Sequence, residues 1–212
     1  MELNYLSENN NHNLIKLYKK NNNYNLVSDK FDGESLFVNL LNGGSKANFF
    51  NVFKNLNSEL IISLDNFYTG NQSYLNKIEG KLIIKNNKIK KANINALLNN
   101  KNKFLYILST TDENEKITNI SIEEPEPFIN KYKFIKGFKG GELSYESIEK
   151  NGKSKSRLKI YDFKVKKIPL LAKILSLASF QGIADILTGE GIRFDEFDMS
   201  YESNNKITKI NE

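Results

Sequence analysis

The chain of 212 residues contains no cysteine and a single histidine, His12. The absence of cysteine excludes disulfides and metal sites built on thiolates. His12 stands in a run of asparagines, which favours a solvated loop residue over a metal ligand or a catalytic base. No serine, threonine or lysine is accompanied by a recognisable activating base. The sequence therefore predicts a protein that is not an enzyme and that has no cofactor and no metal site.

Two features typical of nucleotide and nucleic-acid binders are also missing. The glycine groups of the chain lie at 43–44, 137–141 and 189–191. They match neither the GxGxxG motif nor the Walker spacing of phosphate-binding loops, so we expect turns, bulges or close packing at these positions. Lysine and arginine total 31 against 25 acidic residues, a net charge of +6. The basic residues are spread along the chain rather than gathered in one patch, so we expect solvated faces and no nucleic-acid partner.

Most of the chain alternates apolar and polar residues in short segments separated by asparagine-rich turns. This pattern predicts a mainly β fold with a long antiparallel meander sheet. Helical spacing near residues 33–56 predicts one or two short helices there. We interpret 1–212 as one unit, with strands and short helices in 1–57, a meander in 58–165, a helix pair in 166–190 and returning strands in 191–212. The clearest strand segments are 60–64, 80–84, 94–98, 104–108 and 118–122.

One apolar block interrupts this alternation, from Ile168 to Met199. Residues 168–187 have the length of a membrane span, but Lys173 and Asp185 would be costly inside a bilayer. The polar residues of the block fall on two separate stripes at about 100° per residue, so we expect a bend and two short helices, 169–178 and 181–187. The apolar residues expected to close the sheet face are Leu171, Ile174, Leu175, Ala178, Ile183 and Ile186.

The one-sided strands supply more apolar surface than two short helices can cover. The surface must be buried in a second layer or against a ligand. The sheet therefore either folds over on itself as a sandwich or barrel, or stays open and curved, with a groove for lipid. Physical reasoning from the residues leaves both possibilities open.

The last third of the chain resembles a known family. The runs are YKFIKGFKGGELSYES at 132–147 and LKIYDFKVKKIPLLAKILSLASFQGIADILTGEGIRFDEFDMSY at 158–201. In the second run a strand is followed by an apolar helix, a glycine step and another strand. This order is similar to that in the AsmA-like superfamily, in particular the C-terminal region of YhdP-type envelope proteins.

The resemblance implies a module of a bridge-like lipid-transfer protein that is anchored in the inner membrane and extends through the periplasm of Gram-negative bacteria. The expected function is phospholipid transport between the inner and outer membranes, in support of outer membrane biogenesis. Its partners would be phospholipid acyl chains and, through an anchor absent from this chain, the membrane. The resemblance does not identify any protein partner, so protein partners stay unknown. We therefore expect a fragment truncated at both ends.

In this reading an apolar sheet face lines a lipid groove. The candidate lining residues are Ile94, Ala96, Leu98, Phe104, Tyr106, Leu108, Leu143, Tyr145, Leu158 and Ile160. The alternative is a structural or adhesive β-domain in which the same faces pack into a closed core without lipid.

Overall fold

A computed structural model describes residues 2–6, 12–34, 57–70, 73–86, 88–131, 135, 137–166, 191–204 and 207–211. The predicted short helices near 33–56 and the predicted helix pair lie almost entirely outside these residues. The same holds for the six residues expected to close the sheet face, from Leu171 to Ile186. These predictions remain open.

The described residues form a mainly β fold, as predicted. The strands are β1 (Glu2–Leu6), β2 (His12–Lys20), β3 (Asn23–Asp32), β4 (Ser58–Gly70), β5 (Ser73–Lys85), β6 (Lys88–Leu98), β7 (Asn102–Thr110), β8 (Lys116–Glu123), β9 (Phe138–Lys150), β10 (Lys153–Val165), β11 (Ile192–Asn204) and β12 (Thr208–Asn211). The hydrogen-bonded order follows the chain from β1 to β12, which confirms the predicted meander. His12 begins β2 and is not a loop residue.

One strand pair departs from the antiparallel pattern. β3 and β4 run parallel, with Tyr24 beside Leu60 and Phe31 beside Phe67. Parallel neighbours cannot be joined by a tight hairpin and need a crossover connection of a dozen or more residues. Residues 33–57 provide that length. The alternating pattern predicted antiparallel neighbours, so this parallel pair was not expected.

The chain divides into two compact units, Met1–Asn119 and Ile120–Glu212, which we call the first and second units and describe separately. The first contains β1 to β7 and the beginning of β8. The second contains the end of β8, β9 to β12 and the helix α1 (Glu126–Lys131).

Asparagine shapes several of the hairpin turns. Type I′ turns need positive φ at both central residues, and asparagine tolerates this conformation better than most residues. Asn99 and Asn100 lie in such a turn between β6 and β7, in agreement with the predicted asparagine-rich turns. Central turn residues with positive φ include Asn21, Asn22, Asn99, Asn100, Asn151 and Gly152.

Helix α1 was not predicted from the sequence. Its first turn contains Glu126 and Pro127, residues that suit a helix N-terminus because of the helix dipole and the fixed proline φ. Phe128 and Ile129 follow and are both buried, at 6% and 3% exposure. This combination was the available signal for a short helix.

The core of the first unit lies on one face of β4 to β7. Leu60, Leu82, Ala92 and Leu108 stand opposite one another across these strands. All four are at most 5% exposed. Burying large aliphatic side chains contributes about 1.5–3 kcal/mol each, so this row is a major source of the unit's stability.

The alternation in the first unit shifts by one residue near the middle of the strands. In β3 the spacing between buried residues lengthens from two to three between Ser28 and Phe31. In β5 the pairing with β6 is irregular between Asn76 and Glu79, and Lys77 has a φ of 47°. An extra residue in a strand moves the side chains beyond it to the other face unless the backbone compensates in this way.

Candidate binding face

The predicted lining residues of the first unit share one sheet face. Ile94 stands opposite Tyr106, and Ala96 opposite Phe104. Directly opposite residues in antiparallel strands point to the same side. Ala96, Leu98 and Leu108 are nevertheless core residues, with exposures of 6%, 0% and 4%. Ile94, Phe104 and Tyr106 are only partly buried.

The predicted lining residues of the second unit also meet on one face. Leu143 of β9 stands opposite Ile160 of β10, and Tyr145 stands opposite Leu158. Ile160 is 2% exposed, whereas the other three side chains are partly buried. The alternation in these two strands therefore brings together the residues that the sequence singled out.

Strand β11 extends this face with residues that the sequence analysis did not propose. Met199 stands opposite Leu158, and Phe197 opposite Ile160. Phe197 and Phe194 are 37% and 36% exposed, which is unusual for phenylalanine. Alternation between Phe197, Met199 and Tyr201 was a usable signal. We call the surface formed by Leu143, Tyr145, Leu158, Ile160, Phe197 and Met199 the apolar face of the second unit.

In β9, β10 and β11 the apolar positions of the alternating pattern move by one residue partway along the strand. Asp162 of β10 has a φ of 49°, and the apolar spacing lengthens from Ile160 to Phe163. In β9, Gly141 has a φ of 84°, and a Cβ there would lie 2.9 Å from the Tyr161 carbonyl oxygen. This agrees with the expected bulge or close-packing role of the 137–141 glycines.

Beyond the shift, three phenylalanines stack across the strands. The ring centroids of Phe138 and Phe163 are 5.3 Å apart, and those of Phe163 and Phe194 are 5.2 Å apart. Helix α1 packs Ile129 into the cluster that contains Phe138, Phe163 and Ile160. The cluster members on α1, β9 and β10 are buried, whereas Phe194 on β11 is 36% exposed.

A hydroxyl cluster borders the apolar face at its other end. Ser156 stands opposite both Ser147 and Tyr201. The Ser156 hydroxyl donates to Ser147 Oγ at 2.9 Å and lies 3.3 Å from the Tyr145 hydroxyl. Burial raises the pKa of Tyr201 to about 12, and its hydrogen bond with Tyr145 acts in the same direction. We call Tyr145, Ser147, Ser156 and Tyr201 the hydroxyl cluster.

The opposite face of the same strands is charged. Lys159 Nζ lies 3.1 Å from Glu196 Oε1, and Arg157 Nε donates to Asp198 Oδ1 at 2.9 Å. The hydrogen bond from Arg157 lowers the pKa of Asp198 to about 2, and the hydrogen bond from Lys159 contributes in the same direction. These pairs form between the neighbouring strands β10 and β11.

Among the residues that the structure describes, no group of three or more histidine, cysteine or acidic side chains is placed to hold a metal ion. No helix within the described ranges is long and apolar enough to cross a membrane.

The chain was also compared with known protein families, curated proteins and solved structures, and none of them matches it.

Proposed function

We propose that this chain is a lipid-binding module that serves phospholipid transport between the inner and outer membranes of a cell envelope. The observation that carries the proposal is the apolar face of the second unit and the phenylalanine stack beside it. Phe197 on the face and Phe194 in the stack both remain more than one third exposed. Covering such surface with an acyl chain stabilises the complex by about 25 cal/mol per Å² of apolar area removed from water.

The two faces of this sheet differ in the way that a lipid-binding surface requires. Strands β10 and β11 place ion pairs such as Arg157–Asp198 on one side. They place Leu158, Met199 and Phe197 on the other. Water solvates the charged side, and the apolar side gains free energy when an acyl chain covers it.

The cellular setting in this proposal rests on the resemblance to the AsmA-like superfamily. The most specific part of that resemblance, 158–201, includes most of β10 and β11, the strands that hold the exposed phenylalanine of the face and its neighbours. On this basis we propose a periplasmic location with attachment to the inner membrane. Phospholipid acyl chains are the proposed ligand, and neither catalysis nor nucleic-acid binding is part of the proposal.

A structural or adhesive β-domain with a closed core is the second candidate. It is favoured by the first unit, where Leu60, Leu82, Ala92 and Leu108 are already buried to the extent expected of a protein core. On this reading the exposed residues of β11 contact another protein and take up no lipid.

Copurifying lipid distinguishes the two candidates. The chain, purified without detergent, is extracted and its lipids are quantified by mass spectrometry. We expect phospholipid in the wild type and a large loss in Phe197→Asp, because a carboxylate on the apolar face would have to be desolvated against acyl chains.

A matched control separates this effect from a general effect of a new charge. Ile148 is 49% exposed and stands opposite Lys155, on the charged side of β9. Ile148→Asp adds the same carboxylate on that side and is expected to retain lipid. A lipid-free wild type, or equal lipid in the two variants, would refute the proposal and favour the structural domain.

A further inference from the structure

The apolar face of the second unit changes character along its strands. At one end is the stack of Phe138, Phe163 and Phe194. Next come rows of aliphatic, sulfur and aromatic side chains, among them Leu158 opposite Met199. The hydroxyl cluster follows. Beyond it Ser203 Oγ lies 3.1 Å from Thr208 Oγ1. The face thus passes from aromatic and apolar to hydroxyl-bearing within a single sheet surface.

The hydroxyl cluster has a hydrogen-bond donor to spare. A serine hydroxyl has only one proton, and Ser156 gives its proton to Ser147. The hydroxyl proton of Ser147 is therefore not used in that bond. Ser147 is only partly buried, whereas Ser156 is 6% exposed. A partly accessible donor beside an apolar surface suits an acceptor that belongs to a mainly apolar ligand.

From this gradient we propose that the hydroxyl cluster binds the ester carbonyl of an acyl lipid, with Ser147 as the donor, while the acyl chain lies along Met199 and Phe197 toward Phe194. This inference rests on the proposed function and makes it more specific, because it assigns an orientation and a polar contact to the lipid. A neutral carbonyl fits better than a carboxylate, since Glu149 stands opposite Ser154 in the next row.

The dimensions agree with such a ligand. From Phe194 to Tyr201 the strand advances by seven residues, or about 23 Å at roughly 3.3 Å per residue. The hydrocarbon core of a bilayer is about 30 Å thick, so one acyl chain occupies about 15 Å of it. The face is long enough for an acyl chain that begins at the hydroxyl cluster.

Two photoreactive probes test this orientation. One is a monoacylglycerol with a diazirine in its acyl chain, and the other is an alkane of similar length with the same group and no ester. Crosslinking yield is measured against probe concentration for the purified chain, and the labelled residues are located by mass spectrometry. The variants are Ser147→Ala and, as a matched control, Ser144→Ala, which removes a partly buried hydroxyl from the other side of β9 opposite Lys159.

We expect Ser147→Ala to weaken monoacylglycerol binding about two- to tenfold, the effect of one neutral hydrogen bond. Binding of the alkane should not change in Ser147→Ala. Unchanged alkane binding would also show that the apolar face is intact in this variant. Ser144→Ala should bind both probes like the wild type. In the wild type the diazirine should label residues of β11 near Phe197.

Three results would overturn the inference, and they can be told apart. If both probes bind but Ser147→Ala binds the monoacylglycerol as tightly as the wild type does, the hydroxyl contact is wrong and acyl binding stands. If neither probe binds the wild-type chain, both the inference and the proposed function fail. Loss of both probes in Ser147→Ala alone, with Ser144→Ala normal, would assign Ser147 a structural role and also refute the contact.

Discussion

The two units use the same alternating pattern but bury its apolar side to different extents. In the first unit Leu60 and Leu82 are 1% and 5% exposed. In the second, Leu158 and Met199 are only partly buried, and Phe197 is 37% exposed. Alternation therefore identifies which side of a strand is apolar. It does not tell whether that side is filled by the protein's own core or remains accessible to a ligand.

The sharpest test of this difference uses one substitution in both units. Leu60→Ala removes a side chain that is 1% exposed, so it should leave a cavity and destabilise the first unit by about 2–5 kcal/mol. Leu158→Ala removes the same atoms from a partly buried position and should cost less than half as much, because less apolar surface is lost. Urea unfolding, with hydrogen exchange of the β4–β7 and β9–β11 amides, measures both effects.

The opposite ranking would contradict the comparison. If Leu158→Ala costs as much as Leu60→Ala, the second-unit face is a core in solution, and the structural candidate gains over the lipid-binding one. If added phospholipid stabilises wild-type β9–β11 amides but not those of Leu158→Ala, the face is a ligand surface.

A somewhat smaller effect is expected at the two glycines of β9 where the alternating pattern of the second unit moves by one residue. Gly140 and Gly141 have φ values of 67° and 84°, so alanine is strained at both positions. Only at Gly141 would the new Cβ also lie 2.9 Å from a backbone oxygen, that of Tyr161. We expect Gly140→Ala to cost about 1–2 kcal/mol and Gly141→Ala clearly more. Equal losses in thermal unfolding would mean that φ alone requires glycine here.

The pKa of Tyr201 predicts a pH dependence for the second unit. Its folded-state pKa is raised to about 12 from an ordinary value of 10.0. Below pH 10 the Tyr201 phenol is protonated in both the folded and the unfolded state, and its full contribution to the stability of the second unit is present. As the pH rises from 10 to 12 the unfolded phenol ionises first, so that contribution is lost. Urea unfolding should show this loss in the wild type and a shallower one in Tyr201→Phe. Identical pH profiles would contradict the shift.

Much of the fold was predictable because hydrophobic alternation and asparagine turns are local signals. The segments around Leu60, Ile94 and Phe104 lie in strands as expected. The parallel pairing of β3 with β4 was not predictable, because strand direction depends on the path of the connection between them. The shifts at Lys77 and Asp162 were also missed, because neither residue is a glycine and nothing in the local sequence marks their positive φ values.

The candidate face was predicted in part. Pairing of Leu143 with Ile160 and of Tyr145 with Leu158 follows from period-two spacing in consecutive strands. Phe197 and Met199 were not predicted because they follow the predicted helix pair at the end of the apolar block. Their pairing with β10 also crosses a gap of 26 residues between β10 and β11. Burial could not be predicted at all, because it depends on what packs on a face and not on the strand itself.

The charged side of β10 and β11 gives the smallest expected effect and completes the comparison of the two faces. The hydrogen bonds from Arg157 and Lys159 lower the pKa of Asp198 from 3.8 to about 2, so this contribution is present above pH 3.8 and is lost as the pH falls toward 2. Because exposed ion pairs contribute little, Asp198→Asn should destabilise the second unit only slightly at neutral pH, and roughly 1 M salt should remove the difference. Acid and salt titrations of urea unfolding measure it. A large loss that persists in high salt would mean that this side is buried in an interface, in which case the lipid-binding proposal would have to account for a partner on the charged face as well.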